Sequence, residues 1–144
     1  MRIPYLKKPK GTWFVKVPRS KKYPRHWMTT VELTVVLSDG YELIIRKGTF
    51  WDGASVPKWL WWLFKPIDEG VLADLIHDEL WVQKEEQLKR FNFHIYATRL
   101  FADNERLRWR KGHAPNKKIK NFLTNFVIRL IGGFYYSRQM KIPK

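Results

Sequence analysis

The chain has 144 residues, a length typical of one domain, and its 44% of hydrophobic residues excludes an intrinsically disordered chain. Lys and Arg number 28 against 13 acidic residues, so the formal net charge of +15 favours polyanionic or acidic partners. The absence of cysteine excludes disulfides and thiolate metal sites, and no apolar run reaches the roughly 18 residues of a membrane span.

The first third of the chain is predicted to consist mainly of strands. Residues 1–10 carry two prolines and four basic residues and are interpreted as an N-terminal arm, which a strand-rich part over 11–50 follows. Within that part, residues 12–17 have the composition of a strand. Residues 18–28 are predicted to form a basic loop interrupted by prolines.

A β-hairpin is the strongest prediction in this part. Residues 30–37 are rich in β-branched side chains, and residues 41–47 resume the strand pattern after a Ser-Asp-Gly step. Because an Asp-Gly pair between two such runs is typical of a hairpin, Asp39 and Gly40 are interpreted as turn residues rather than functional ones.

The remainder of the chain, over 51–136, is predicted to be mainly helical. A helix that starts near residue 70 is indicated by apolar residues at core-facing spacing, namely Leu72, Leu75, Ile76 and Leu80. The other predicted segments are a short helix over 59–64, a helix over 85–102, a basic break over 106–118, a last helix over 117–131 and a basic tail over 137–144. Strands followed by helices predict a single α+β domain over 1–144, with a small antiparallel β-sheet in the N-terminal half packed against three main C-terminal helices.

One group of polar residues has the spacing of a catalytic or metal site. On the helix near residue 70, His77 and Asp78 follow Asp74 at i+3 and i+4, so the three side chains lie on neighbouring positions of one face. A histidine that a carboxylate orients can act as a general base. The alternative is a boundary histidine whose hydrogen bonds only stabilise the fold, because buried polar groups must be paired.

The loop before this helix supplies the other members of the predicted cluster. Asp52, Gly53 and Ser55 lie in the irregular segment GTFWDGASVP. We expect this loop to fold back, so that Asp52 and Ser55 join His77 and Asp78 in one polar cluster. Carboxylates suit hard cations, so Asp52 and Asp78 are candidate ligands of calcium or magnesium, and the alternative is that no cofactor binds.

The segments TFWDGASVP and LIHDELW together resemble a bacteriophage protein family catalogued as domain of unknown function 1353. The similarity covers roughly residues 30–136, and its matching positions are Asp52-Gly53-Ala54-Ser55-Val56-Pro57, His77, Asp78, Leu80 and Trp81. Two positions depart from the family: Trp51 stands in place of a Thr, and Asn92 in place of an Asp on the second helix. The resemblance implies a phage origin, a location in the virion or the host cytoplasm, and other phage proteins as partners.

A looser similarity concerns the chemistry. His-Asp followed by an aromatic residue, with an Asp on the next antiparallel helix, is similar to secretory phospholipases of the A2 class. In those enzymes the His activates a water, its Asp neighbour binds calcium, and the distant Asp orients the His. The similarity implies that His77 is the base, Asp78 the calcium ligand and Asn92 the orienting residue, although a neutral amide does not stabilise an imidazolium as a carboxylate does.

Three functions follow as alternatives, and the sequence leaves open whether the protein is an enzyme. The one we expect is a virion-associated or accessory protein without chemistry, whose basic surface binds a polyanionic or acidic partner. The second is an esterase or phospholipase-like hydrolase that uses His77 as general base, for which the basic surface favours an anionic membrane. The third is a nucleic-acid-binding module.

Overall fold

The computed structural model describes residues 1–18, 20, 26–51 and 70–127. Within these ranges, six short strands precede four helices, which confirms the predicted α+β class. The strands are β1 (Arg2–Ile3), β2 (Phe14–Lys16), β3 (Trp27–Thr29), β4 (Leu33–Val36), β5 (Glu42–Ile45) and β6 (Phe50–Trp51). The helices are α1 (Val71–Val82), α2 (Lys84–Arg90), α3 (Ile95–His113) and α4 (Lys118–Val127).

The predicted hairpin is present as strands β4 and β5 of the first sheet. The two strands pair antiparallel, with Val36 opposite Glu42, and the turn between them contains Asp39 and Gly40. Gly40 has a φ of 86°, a left-handed conformation that glycine adopts without steric cost. The Asp39 carboxylate accepts a hydrogen bond of 3.1 Å from the backbone N–H of Tyr41, as the turn prediction requires.

The N-terminal arm is part of the fold and not a separate segment, which corrects the interpretation of residues 1–10. Strand β1 pairs parallel with β4, so that Ile3 lies beside Val35 and is only 2% exposed. The ring of Tyr5 meets that of Trp109 edge to face, at 5.5 Å between centroids. A parallel pairing between residues so far apart leaves no local pattern in the sequence, so the composition of residues 1–10 did not indicate a strand.

The second sheet has the order β2-β3-β6 and is antiparallel throughout. Strand β3 begins at Trp27, inside the predicted loop over 18–28, so that loop is shorter than predicted. Trp27 pairs with Lys16 on one side and with Trp51 on the other, and its ring packs at 5.6 Å from that of Phe14. This two-sided pairing extends the strand into a segment whose composition is basic.

The helical half differs most from the prediction between residues 85 and 118. The helix predicted over 85–102 is two helices, because Asn92 and Phe93 have left-handed φ values of 53° and 61° and end the helical backbone after α2. His94 then caps α3, since its Nδ1 accepts a hydrogen bond of 3.0 Å from the backbone N–H of Ala97.

The predicted basic break over 106–118 is also wrong for most of its length, because α3 continues to His113. Three of its residues that suggested a solvated segment are fully buried instead: Arg106, Trp109 and Arg110 are at most 1% exposed. The arginines face α1, where a buried carboxylate pairs with them, so their burial depends on a partner in another helix.

The helix that starts near residue 70 is confirmed as α1, and its predicted apolar stripe is buried. The short helix predicted over 59–64, the end of the last helix beyond residue 127 and the tail over 137–144 lie outside the described residues. The single-domain organisation stays a prediction. Across the described ranges, no helix combines the length and the apolar character needed to cross a bilayer.

Candidate active site at His77

The centre of the candidate site is a hydrogen bond between two buried side chains on α1 and α3. His77 is 4% exposed and Asp103 is 1% exposed, and His77 Nε2 donates to Asp103 Oδ1 at 2.8 Å. Asp74, one turn earlier in α1, contacts Arg106 and Arg110, which come later in α3. The contacts therefore run in opposite chain directions, and the two helices are antiparallel.

The second carboxylate oxygen of Asp103 is not hydrogen-bonded. Oδ2 is buried and lies 3.6 Å from Arg99 Nε, an ion-pair distance that is too long for a hydrogen bond. The ring of Trp81 packs beside His77, with 5.0 Å between centroids. The polar network around the histidine thus retains an acceptor that no described group satisfies.

The pKa of His77 is shifted by opposing influences. Burial of the ring lowers its pKa, but the hydrogen bond to Asp103 and the negative charges of Asp103 and Asp78 outweigh burial, so the pKa lies above its ordinary value of 6.5. The protonated ring is therefore favoured in the folded protein relative to the unfolded chain.

Asp78 lies on the other side of the imidazole and is the member of the group nearest to solvent. Its Oδ1 is 3.9 Å from His77 Nδ1, and 34% of its side chain is exposed. Nδ1 therefore has a carboxylate near it without a direct hydrogen bond at ordinary length. Among the described residues, Nδ1 is therefore the ring nitrogen without a direct hydrogen bond to a carboxylate, as a general base requires.

Asp103, and not Asn92, is the described residue that hydrogen-bonds His77. Asn92 is exposed in the turn between α2 and α3, and among the described residues the carboxylates beside the His77 ring are those of Asp103 and Asp78. The sequence analysis missed Asp103 because the resemblance pointed to position 92 for the orienting residue of the second helix. One signal in the sequence was available. Asp103 and Arg106 share a face of α3 at i, i+3, as Asp74 and His77 share a face of α1, so each helix has a polar stripe that could pack against the other.

The loop half of the predicted cluster lies outside the described residues, so the contact between Asp52 and His77 stays a prediction. The same holds for Gly53 and Ser55. Calcium or magnesium binding by Asp52 and Asp78 is also untested, because Asp78 is the one proposed ligand that the structure describes. Calcium takes about six to eight oxygen ligands, and the described residues contain no group of three or more acidic or histidine side chains placed for a metal.

A buried ionic cluster adjoins the His77–Asp103 pair. Asp74 Oδ1 accepts a hydrogen bond of 2.9 Å from Arg106 Nε, and its Oδ2 accepts one of 3.1 Å from Arg110 Nη1. Burial lowers the pKa of Arg106, and the charge of Asp74 opposes that shift. The cluster consists of one carboxylate between two guanidinium groups, so it joins α1 to α3 through charge as well as packing.

The fold and the site define an α+β protein in which a buried His–Asp pair joins two antiparallel helices. The family model described as Protein of unknown function (DUF1353) matches residues 27–111, and the chain belongs to this family. The match contains both His77 and Asp103, and it confirms the family membership predicted from the sequence. Neither the curated proteins nor the solved structures give a match.

Proposed function

We propose that this protein hydrolyses esters, with the neutral imidazole of His77 as the general base. One observation carries the proposal: Asp103 Oδ1 lies 2.8 Å from His77 Nε2. A carboxylate at Nε2 holds the ring proton there, so Nδ1 of the neutral ring is the free base. Asp103, as the orienting residue in this proposal, has the negative charge that a neutral amide such as that of Asn92 lacks.

In the proposed step, His77 Nδ1 takes a proton from a water, and the oxygen of that water attacks the ester carbonyl carbon. The tetrahedral intermediate expels the alkoxide, which receives the proton from the imidazolium, so the products are an acid and an alcohol. Asp103 stays ionised and stabilises the imidazolium throughout. These roles agree with those that the similarity to secretory phospholipases implies.

Replacing His77 tests the proposal. We expect His77→Gln to lower kcat/KM for a short-chain p-nitrophenyl ester by a factor of about 10²–10⁴, the usual contribution of a general base. Asp103→Asn should lower it as well, because an amide does not stabilise the imidazolium. The matched control is His113→Gln, which removes another buried histidine and should keep the wild-type rate. Wild-type turnover in His77→Gln, or no turnover in the wild-type protein, contradicts the proposal.

The pH dependence separates catalysis from stabilisation at the same residue. Because the pKa of His77 is raised above 6.5, the ring becomes a base only at higher pH, and kcat/KM should rise as the pH passes that pKa. Stabilisation has the opposite sign: it is fully present below the unfolded pKa of about 6.5 and is lost as the pH rises through the folded pKa. The melting temperatures of the wild type and His77→Gln should therefore approach each other with rising pH, while their rates diverge.

As a second candidate we propose the accessory function, in which a phage virion-associated or accessory protein binds a polyanion. The accessory function is favoured by exposed lysines in residues 1–10, at the end of α3 and near the start of α4. We call these residues the basic surface: Lys7, Lys8, Lys10, Lys111, Lys117 and Lys118. His113 Nε2 donates to the Leu6 carbonyl at 3.0 Å, and burial, followed by the charge of Lys8, lowers the pKa of His113. The arm therefore lies against the end of α3, which brings its lysines to this side.

Duplex DNA is the probe for the second candidate. If the basic surface neutralises about six phosphates, the association constant should fall about 10³-fold between about 50 and 200 mM salt, because each contact releases counterions. Lys117→Glu/Lys118→Glu should weaken binding more than Lys47→Glu/Lys89→Glu, which changes the net charge equally at exposed sites elsewhere. Binding that does not change with salt excludes this candidate.

A further inference from the structure

Helix α4 has an unusual orientation, because three of its polar side chains are buried against the protein and three of its large apolar ones face outward. The buried polar residues, each 4% exposed, are Lys120, Asn121 and Thr124. The outward residues, which we call the α4 apolar stripe, are Ile119, Phe122 and Phe126, at 71%, 68% and 52% exposed. Their spacing of i, i+3 and i+7 places them on one face, and the Phe122 and Phe126 rings stack at 6.4 Å.

The buried arginines of α3 explain this orientation. Arg110 Nε donates to Asn121 Oδ1 at 2.6 Å, and Arg106 Nη2 donates to Thr124 Oγ1 at 3.0 Å. Buried guanidinium groups need acceptors, and a rotation that buried Phe122 would remove both of these. The apolar stripe is therefore held outward by hydrogen bonds on the opposite face of the same helix.

Positive charge surrounds the stripe. Lys111, Lys117 and Lys118 are exposed beside it, and the sequence contains no acidic residue after Glu105. A cleft of about 370 Å³ adjoins Phe122, and its lining residues are Leu107, Lys111, Pro115, Lys118, Asn121, Phe122 and Asn125. The surface thus combines an apolar strip, a cleft with two lysines and a basic border.

We propose that the α4 apolar stripe inserts into the interfacial region of a bilayer that contains anionic phospholipids, with Lys111, Lys117 and Lys118 at the headgroup phosphates. A helix with aromatic residues on one face and lysines at its border has the chemistry of an interfacial helix. This inference is independent of the proposed hydrolase activity.

Two other occupants fit the charges less well. A second copy of the chain in a two-fold contact would place lysines against lysines, which repel. DNA provides phosphates but mostly hydrophilic surface, so it would leave the Phe122 and Phe126 rings in water. Of these three occupants, the anionic bilayer is the one that supplies both an apolar interior and negative headgroups.

Co-sedimentation with vesicles tests the inference without an activity readout. We expect the wild type to partition into vesicles of equal parts phosphatidylcholine and phosphatidylglycerol about 10²-fold more strongly than into phosphatidylcholine alone, because three lysines act near the surface. Phe122→Gln/Phe126→Gln should lower partitioning by about tenfold or more, since two rings no longer insert. His77→Gln should bind as the wild type does, which separates this test from that of the hydrolase.

The matched control is Val82→Gln/Tyr96→Gln, which replaces two exposed apolar side chains outside α4 and should bind as the wild type. Equal partitioning into both kinds of vesicle overturns the proposal. The proposal is also overturned if Lys117→Glu/Lys118→Glu weakens vesicle binding and Phe122→Gln/Phe126→Gln does not. That result would indicate a general contact with polyanions. A third contrary result is a wild-type protein that does not bind vesicles and forms a dimer in sedimentation velocity, if Phe122→Gln/Phe126→Gln abolishes that dimer. This result would assign the α4 apolar stripe to a contact with a second copy of the chain.

Discussion

Asp74→Asn is expected to lower the free energy of unfolding by about 3–5 kcal/mol, the cost of removing one partner from a buried ion pair. Asp74 is 2% exposed, and its two carboxylate oxygens each accept a hydrogen bond from a buried arginine of α3. The neutral amide would remove the carboxylate charge that both Arg106 and Arg110 pair with. Urea unfolding followed by far-UV circular dichroism measures the change.

Two further variants show whether the loss comes from the missing carboxylate charge. Asp39→Asn removes the carboxylate of an ion pair with Arg90 in which the Asp39 side chain is 37% exposed, and it should cost at most about 1 kcal/mol. Adding Arg106→Gln to Asp74→Asn should recover part of the stability, because one of the two buried positive charges is then removed. If Asp74→Asn is as stable as Asp39→Asn, the buried cluster does not hold α1 against α3 in the way its geometry indicates.

Trp109→Ala should lower the free energy of unfolding by about 3–5 kcal/mol, as expected for an aromatic side chain removed from a core. Trp109 has no exposed surface, and its indole N–H donates to Glu105 Oε1 at 2.8 Å. Glu105 also accepts a hydrogen bond of 2.8 Å from the backbone N–H of Ser38, next to the hairpin turn. The substitution therefore leaves a cavity and weakens the junction of α3 with the first sheet.

Trp109→Phe separates these two contributions. It keeps most of the ring volume but removes the indole donor from a buried carboxylate, so a loss of about 1–3 kcal/mol is expected. Phe122→Ala serves as the control, because that ring is 68% exposed and its removal should change stability by at most about 0.5 kcal/mol. Equal stability of Trp109→Phe and the wild type would show that the hydrogen bond to Glu105 contributes nothing.

The polar residues between α1 and α3 divide into two neighbouring groups with different properties. The Asp74 carboxylate pairs with two guanidinium groups at hydrogen-bond distances, although Arg106 Nη1 is buried without a hydrogen-bond partner and burial lowers the pKa of Arg106. The His77 group has a raised pKa, an unsatisfied Asp103 Oδ2 and a partly exposed Asp78. Shifted pKa values and incomplete pairing are more typical of functional sites than of structural ones. Both groups have such features, and what distinguishes the His77 group is a histidine with a raised pKa next to a partly exposed carboxylate.

Local features of the sequence predicted the parts of the fold that depend on neighbouring residues. The Asp39-Gly40 turn and the apolar stripe of α1 are visible from spacing alone, because a turn and a helix face are formed within a few residues. His77 was identified for the same reason, since its pairing with Asp78 and its place on α1 are local. The family was also recognisable from the motif that contains it.

Tertiary structure alone decided the partner of His77 and the direction of α4. Asp103 is 26 residues from His77 along the chain, and only the antiparallel packing of α3 on α1 brings the two together. Arg106 and Arg110 are charged residues that become buried because Asp74 is placed opposite them, and their need for acceptors turns the polar face of α4 inward. Such pairings depend on contacts between distant segments, and the cost of burying a charge is known only when its partner is in place.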